Sequence, residues 1–265
     1  GLIIYVLTQK GAMEGLRHYL VPDFSQITNP KIIVSAMGQA FFSMSLGVGT
    51  MLVYGSYISA DENLPVVGAL VTLTDTSVAF LAGLLVLPAI FVAQNLGVTI
   101  YTESGAMIAG PDLIFQVLPA LFEGMGAAGL LVGFAFFVLM SIAAVTSSIS
   151  MLEVPVSYAI EAHQFDRSSA TRLVGLILFG ISTLICFNFE TLFGFVITMT
   201  TERAQPLLSM MVCIFAGWVF YRNHILDELK GGCPEVEQSM FWKIWPVYVK
   251  FFCPALIVLT FAQEF

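Results

Sequence analysis

Hydrophobic stretches of membrane-spanning length alternate with short polar segments along this chain. A transmembrane helix needs about 20 predominantly apolar residues, and several stretches approach or reach that length. Lipid permits only helices and closed barrels, and these stretches are too long for barrel strands. The pattern therefore predicts an all-α polytopic membrane protein with one transmembrane domain, 1–265. We expect a broken helix over 32–57 and continuous transmembrane helices over 66–96, 127–160, 173–187, 193–220 and 245–261.

The connection over residues 97–126 contains five glycines and neither Lys nor Arg. Basic residues accumulate in cytoplasmic loops, so we expect this connection to be an extracellular loop. Within it, "DLIFQVLPALFEGM" (112–125) predicts a short helical hairpin on the surface.

Composition supports an integral membrane protein. Hydrophobic residues make up 58% of the chain and charged residues 11%, against about 25% charged residues in a soluble domain. A net charge of −8 without a basic cluster argues against nucleic-acid binding. The four scattered cysteines suit small apolar packing positions. Because the chain opens at Gly1 inside an apolar stretch, we expect more chain before residue 1.

The segment "GQAFFSMSLGVGTM" (38–51) is unusual for the middle of a transmembrane helix. Gly47 and Gly49 each cost about 1 kcal/mol relative to Ala in a helix, and unpaired backbone in hydrocarbon costs several kcal/mol per group. Discontinuous helices near the bilayer midplane are typical of secondary transporters. Glycines that only permit close helix packing are the alternative, and spacing alone leaves both open.

Hydroxyl groups recur on one face of the segment "SIAAVTSSISMLE" (141–153). Ala143, Ser147 and Met151 are four residues apart and share a helix face, with Thr146 beside them. Hydroxyl and carbonyl oxygens suit a small hard cation. The alternative is that the hydroxyls bond back to their own helical turn or bridge neighbouring helices.

Two carboxylates, Asp75 and Glu153, lie within apolar stretches. Placing a charged side chain in a membrane costs free energy, so such residues are functional candidates by default. For Asp75 the alternative is a helix N-cap. The three histidines fall in loops, no His/Glu or Ser/Lys arrangement lies at membrane depth, and these helices lack the continuous polar stripe of a channel. The sequence thus favours a transporter over a membrane enzyme or a channel.

Four motifs resemble the neurotransmitter:sodium symporter family, especially its bacterial amino-acid transporters. The segment "GQAFFSMSLGVGTMLVYGSYIS" is similar to the sixth helix and "VTLTDTSVAFLAGLLVLPA" to the seventh. The segment "AAVTSSISMLEVPVSYAIE" is similar to the eighth, and "LTFAQEF" to the end of the eleventh. The resemblance implies the second half of an inverted-repeat, LeuT-type fold, from the end of helix five to helix eleven, with a break at residues 43–49.

This resemblance implies sodium-coupled symport of an amino acid by alternating access across the inner membrane of a bacterium. A broken-helix sodium symporter for another small organic solute is the alternative. The expected partners are the substrate, sodium ions and the lipid bilayer, and no enzymatic activity is expected.

The resemblance also implies two sodium sites. Ser43 and Asp75 belong to the first, where the family usually has Asn in place of Asp75. The Ala143 carbonyl and the Thr146 and Ser147 hydroxyls form half of the second. Because Asp75 brings a fixed negative charge to the cation, we expect no chloride requirement, and Ala79 stands where chloride-dependent members have Ser.

The resemblance places substrate near the break and above a cytoplasmic gate. Val48, where several relatives have Phe, and Met151 imply a bulky apolar or aromatic amino acid. Glu153 is expected to hold neighbouring helices together rather than contact substrate or a proton. The implied substrate residues are Phe42, Ser43, Ser45, Val48, Ser147 and Met151. The implied gate residues are Phe42, as an aromatic lid, and Ser56, Tyr57 and Glu161 on the cytoplasmic side.

Overall fold

A computed structural model of the chain describes residues 2–26, 29–101, 107–108, 110–220 and 222–262. Helices dominate these ranges, and the β contact within them is an isolated bridge between Tyr101 and Met107. The prediction of an all-α protein is confirmed. The last three residues of the eleventh-helix motif, 263–265, lie outside the described residues.

Fourteen α-helices occur in the described part of the chain. Some are joined end to end through wider π-type turns, at Leu113–Val117, Phe189–Phe193, Thr198–Ala204, Phe215–Val219 and Tyr248–Phe252. Such turns re-pair backbone groups that prolines free inside membrane helices. In chain order the helices are α1 (Leu2–Leu7), α2 (Ala12–Leu20), α3 (Pro30–Ser43), α4 (Thr50–Ser56), α5 (Leu64–Asn95), α6 (Gly110–Asp112), α7 (Leu118–Gly124), α8 (Ala127–His163), α9 (Arg167–Phe187), α10 (Gly194–Ile197), α11 (Gln205–Ile214), α12 (Arg222–Gly232), α13 (Met240–Val247) and α14 (Cys253–Ala262).

Within the described ranges, four helical segments are long and apolar enough to cross a bilayer: Leu64–Asn95, Ala127–His163, Arg167–Phe187 and Met240–Leu259. A fifth is obtained if the bent pair Thr191–Val219 and Arg222–Gly232 is counted as one span. Large apolar side chains remain exposed along these segments, as expected for surfaces that face lipid. The chain is a multi-pass membrane protein.

The last span begins at Met240, earlier than the range predicted from hydropathy. Ser239 caps the helix, because its hydroxyl accepts a hydrogen bond from the Trp242 N–H at 3.2 Å. Trp242 is buried against Leu226 and Leu229 of α12. Packing and capping therefore extend the helix into a segment where hydropathy alone gives a weak signal.

One compact unit comprises Gly1–Ser25 and Thr74–Thr146. Its core joins the C-terminal part of α5, around Ile90, to Val6 of α1, Ala12 of α2 and Leu121 of α7. The predicted hairpin in this unit is wrong. Residues Gly110–Gly124 form one continuous helical stretch, because Leu118, Leu121 and Phe122 lie on one side and are buried in the core.

The other compact unit comprises Gln26–Leu73 and Ser147–Phe265. It contains α3, α4, the second part of α8 and helices α9 to α14. One cluster packs Val156 and Ala159 of α8 against Ala170 of α9. All contacts discussed below for the broken helix lie within this unit.

Candidate functional site

The broken helix is interrupted between Ser43, where α3 ends, and Thr50, where α4 begins. Three residues of the intervening turns have left-handed backbone, with φ of 51° at Ser45, 78° at Gly47 and 91° at Gly49. Glycine adopts such angles without steric cost, whereas other residues rarely do. The predicted break at residues 43–49 is confirmed.

Backbone N–H groups in the turns of the break donate hydrogen bonds to carbonyls that the end of α3 leaves without helical partners. The Met44 N–H donates to the Ala40 carbonyl at 3.1 Å, the Ser45 N–H to Phe42 at 3.0 Å and the Leu46 N–H to Phe41 at 3.0 Å. The last carbonyls of a helix otherwise have no intrahelical partner. Three carbonyls near the end of α3 therefore keep hydrogen-bond partners where the helix stops.

Helix α11 supports the break from one side. The Gln205 side chain is 4% exposed, and its Nε2 donates a hydrogen bond to the Phe41 carbonyl at 3.0 Å. A Cβ on Gly47 would come within 2.6 Å of Ser209 Oγ and closer still to the Gln205 carbonyl oxygen. Gly47 is therefore required both for its backbone angle and for the close approach of α11.

Sequence reasoning missed Gln205 and Ser209. The signal that could have identified them is polarity, because an amide within an apolar helix needs a hydrogen-bond partner. The neighbouring pair Glu202 and Arg203 belongs to the π-type segment Thr198–Ala204. The Glu202 side chain lies outside what the structure describes.

Four of the predicted substrate residues lie at the break and two lie on α8. Ser45 and Val48 line a cavity of about 650 Å³ together with Leu208 and Met211 from the α11 side. Phe42 is 52% exposed and Ser43, the last residue of α3, is partly buried. Ser147 and Met151 occupy exposed positions on α8.

The hydroxyl of Thr146, predicted as a sodium ligand, bonds back to its own helix. Its Oγ1 donates to the Ala143 carbonyl at 2.9 Å and to the Ile142 carbonyl at 3.0 Å. A hydroxyl that donates its proton keeps lone pairs for a cation. Back-bonding and sodium ligation at Thr146 are therefore compatible, and Ser147 follows on an exposed part of α8.

Asp75 lies inside α5, well after its first residue Leu64, and is partly buried. The alternative interpretation of Asp75 as a helix N-cap is wrong. Its proposed partner Ser43 belongs to the other compact unit, so the first sodium site stays a prediction.

Tyr54 of α4 and Tyr57, the residue that directly follows α4, contact α8. Tyr54 Oη donates to Ser150 Oγ at 2.9 Å, and Tyr57 Oη donates to Glu153 Oε1 at 2.6 Å. Tyr57 Oη also lies 2.9 Å from Ser157 Oγ. Tyrosines three apart lie on one face of a helix, and together they join α4 to successive turns of α8.

Glu153 also accepts a hydrogen bond from α9. Arg167 Nη2 lies 2.9 Å from Glu153 Oε2, and the two side chains are 66% and 13% exposed. Arg167 follows the N-cap Asp166, whose carboxylate accepts from the Ser169 N–H at 3.0 Å. Hydrogen bonds to the side chain and backbone of Ser169 lower the pKa of Asp166. Glu153 thus joins α4, α8 and α9, and this geometry supports a helix-linking role for it.

The cytoplasmic gate formed by Ser56, Tyr57 and Glu161 stays a prediction. In the described part of the chain, no hydrogen bond or ion pair joins Glu161 to Ser56 or Tyr57. The Ser56 hydroxyl donates to the Val53 carbonyl of its own turn at 2.7 Å. Glu161 is eight residues beyond Glu153, about 12 Å along the helix axis, and Tyr57 reaches only the nearer carboxylate.

Comparison with known proteins yields the same family over the whole chain. The model of the sodium:neurotransmitter symporter family matches residues 1–265. The chain belongs to this family. An uncharacterized sodium-dependent transporter of Haemophilus influenzae is 35% identical over 100% of this chain and 56% of its own length. The sodium-dependent transporter YhdH of Bacillus subtilis is 30% identical over 98% of this chain and 57% of its own length.

A solved structure shares the fold of this symporter chain. The crystal structure of MhsT in complex with L-phenylalanine superimposes with a TM-score of 0.82 and 35% sequence identity. The match covers 100% of this chain and 59% of that one. The chain therefore spans a little over half the length of these relatives and has the LeuT-type fold of bacterial, multi-pass cell-membrane transporters.

Replacing Gly47 by Ala should lower the thermal unfolding midpoint of the detergent-purified protein. The added Cβ requires a left-handed alanine and collides with α11, which costs more than about 1 kcal/mol. Gly38→Ala is the matched control, because a Cβ at Gly38 meets nothing within 4 Å. The control should be neutral or stabilising by up to about 1 kcal/mol. Equal behaviour of the two variants would contradict the close packing of the break.

Replacing Glu153 by Gln should also lower the unfolding midpoint. The variant loses the charge-assisted hydrogen bond to Arg167, and such bonds contribute about 1.5–3 kcal/mol, less here because Arg167 is exposed. Glu161→Gln on the same helix is the control and should leave stability within about 0.5 kcal/mol of the parent. A larger loss for Glu161→Gln would show that the main ion pair of α8 lies at Glu161.

Proposed function

We propose that the complete protein containing these residues takes up a bulky apolar or aromatic amino acid together with sodium ions. The observation that carries the proposal is the break at residues 43–49, where helix ends and turns expose backbone polar groups within an apolar protein. Binding of ions and substrate at such breaks is typical of secondary transporters. Membership of a sodium symporter family and the L-phenylalanine held by the structural neighbour support the same function.

The substrate contacts follow from the break. Backbone groups of Phe42, Ser43 and Ser45 would accept the ammonium group, because carbonyls at the end of a helix carry partial negative charge. Val48 and Met151, with Ser147 near them on α8, would border the side chain of the amino acid. A short apolar residue at Val48 leaves room for a large substrate side chain.

Sodium would bind two sets of oxygen ligands. Ser43 and Asp75 belong to the first set, and Ala143, Thr146 and Ser147 to the second. A carboxylate at the first site compensates the charge of the cation, so transport needs no chloride. A small hard cation prefers carboxylate, carbonyl and hydroxyl oxygens.

Gating would involve the two helices that the break separates. Phe42 would cover the pocket at the end of α3, while Ser56, Tyr57 and Glu161 would close the cytoplasmic side. Tyr57 is bonded to Glu153, so opening of this side requires either exchange of that bond or movement of α4 together with α8. Sodium and substrate drive such a change only by binding two states with different affinities.

Uptake measurements in proteoliposomes test the function directly. An inward sodium gradient should drive accumulation of labelled phenylalanine, leucine or tryptophan, and choline in place of sodium should abolish it. Gluconate in place of chloride should leave uptake unchanged, because Asp75 supplies the negative charge. A large loss in gluconate would contradict the chloride-independent proposal. Sodium-coupled uptake that no amino acid inhibits would favour another organic solute, and a substrate-independent ohmic current would indicate a channel.

A threonine pair tests the second sodium site. Thr146→Val should raise the sodium concentration for half-maximal uptake severalfold, because a ligand oxygen is removed. Thr183→Val is the control, since Thr183 Oγ1 also bonds back to its own helix, at 2.7 Å from the Phe179 carbonyl. Both variants remove a threonine hydroxyl that bonds back to its own helix, so the control should leave sodium dependence unchanged. Equal sodium dependence in both variants would contradict sodium binding by Thr146.

A further inference from the structure

Two cysteines that the transport function does not use line the same cavity. Cys213 is on α11 and Cys253 is the first residue of α14, and these two helices pack against each other. Both are partly buried free thiols and line a cavity of about 360 Å³. The spacing of cysteines along the sequence indicated only packing, because the pair is brought together by helix contacts.

The thiol pair lies on the helix face that supports the break. Gln205, Ser209 and Cys213 follow one another at four-residue intervals on α11, so they share one face. Gln205 bonds the Phe41 carbonyl, and Gly47 lies against Gln205 and Ser209. Phe41, Gly47 and Ser209 line the same cavity as the two cysteines. A change at Cys213 therefore acts on the support of the broken helix.

Ser209 adds a second feature to this cavity. Its hydroxyl is buried, at 5% exposure for the residue, and has no hydrogen-bond partner within the described part of the chain. A buried hydroxyl without a partner costs about 1–3 kcal/mol.

We propose that Cys213 and Cys253 form a redox-sensitive pair whose oxidation creates a disulfide between α11 and α14. Each thiol loses its proton and the two sulfurs together give two electrons to an oxidant of the azo or low-molecular-weight disulfide class. With the azo compound diamide, the N=N bond accepts both electrons and both protons and becomes a hydrazine. A disulfide requires Cα atoms within about 7 Å of each other, and the packing of α11 against α14 places both cysteines on one cavity.

The cavity determines which reagents reach the pair. Most of its lining side chains are apolar, including Met37, Leu256 and Ile257, so charged reagents are excluded. Uncharged diamide should form the bond. Uncharged dithiothreitol should reverse it faster than the charged reductant tris(2-carboxyethyl)phosphine, because thiol–disulfide exchange depends on access.

Peptide mapping of the complete, membrane-embedded protein tests the proposal. After diamide and alkylation of the remaining thiols, digestion without reductant should yield a linked peptide pair containing Cys213 and Cys253. Cys213→Ser should abolish this pair, while a Cys186→Ser/Cys233→Ser double variant should retain it. Recovery of both residues in alkylated form, or in bonds only to other cysteines or to a second chain, would overturn the proposal.

The consequence for transport rests on the proposed function. A disulfide between α11 and α14 restrains α11, the helix that contacts the break. Diamide should therefore lower sodium-driven uptake severalfold, and dithiothreitol should restore it. Cys253→Ser should resist diamide. Equal inhibition of the parent and this variant would overturn the coupling. Absence of uptake before oxidation would count against the proposed function and leave the mapped disulfide as separate evidence.

Discussion

Every backbone N–H and C=O inside a lipid bilayer requires a partner, because hydrocarbon offers none. This requirement bears most heavily on residues 43–49, where the chain leaves helical geometry between α3 and α4. Turn hydrogen bonds from Met44, Ser45 and Leu46 meet it in part. The Gln205 side chain of α11 supplies one further hydrogen bond, to the Phe41 carbonyl. Neighbouring helices therefore pack against the segment whose backbone lacks helical hydrogen bonds.

The two halves of the broken helix are fixed by different neighbours. Gln205 of α11 bonds the Phe41 carbonyl at the end of α3, whereas Tyr54 and Tyr57 join α4 to α8. The break between them therefore connects two separately anchored segments. Hinge-like connections of this kind permit relative movement without loss of either anchor.

Glu153 shows how a carboxylate within a long apolar helix is retained. Its two oxygens accept hydrogen bonds from Tyr57 and Arg167, so its charge is compensated by a partner on another helix. An isolated carboxylate would be costly in this position. The same contact removes Tyr57 from the neighbourhood of Glu161, because one side chain cannot reach two turns further along α8. Glu153 thus links α4, α8 and α9 through one carboxylate.

Hydropathy in the sequence alone determined the helical class and the membrane environment, and the motif around Gly47 and Gly49 predicted the break through its resemblance to a symporter family. Gly47 and Gly49 mark the positions that require left-handed backbone, and a period of four placed Thr146 beside the face shared by Ala143 and Ser147. These properties are local, so they can be read from neighbouring residues. The tertiary structure alone decided the partners of Tyr57 and Gln205 and placed Cys213 and Cys253 on one cavity. Each of these contacts joins residues far apart in the sequence, and the distance between their side chains depends on how whole helices pack.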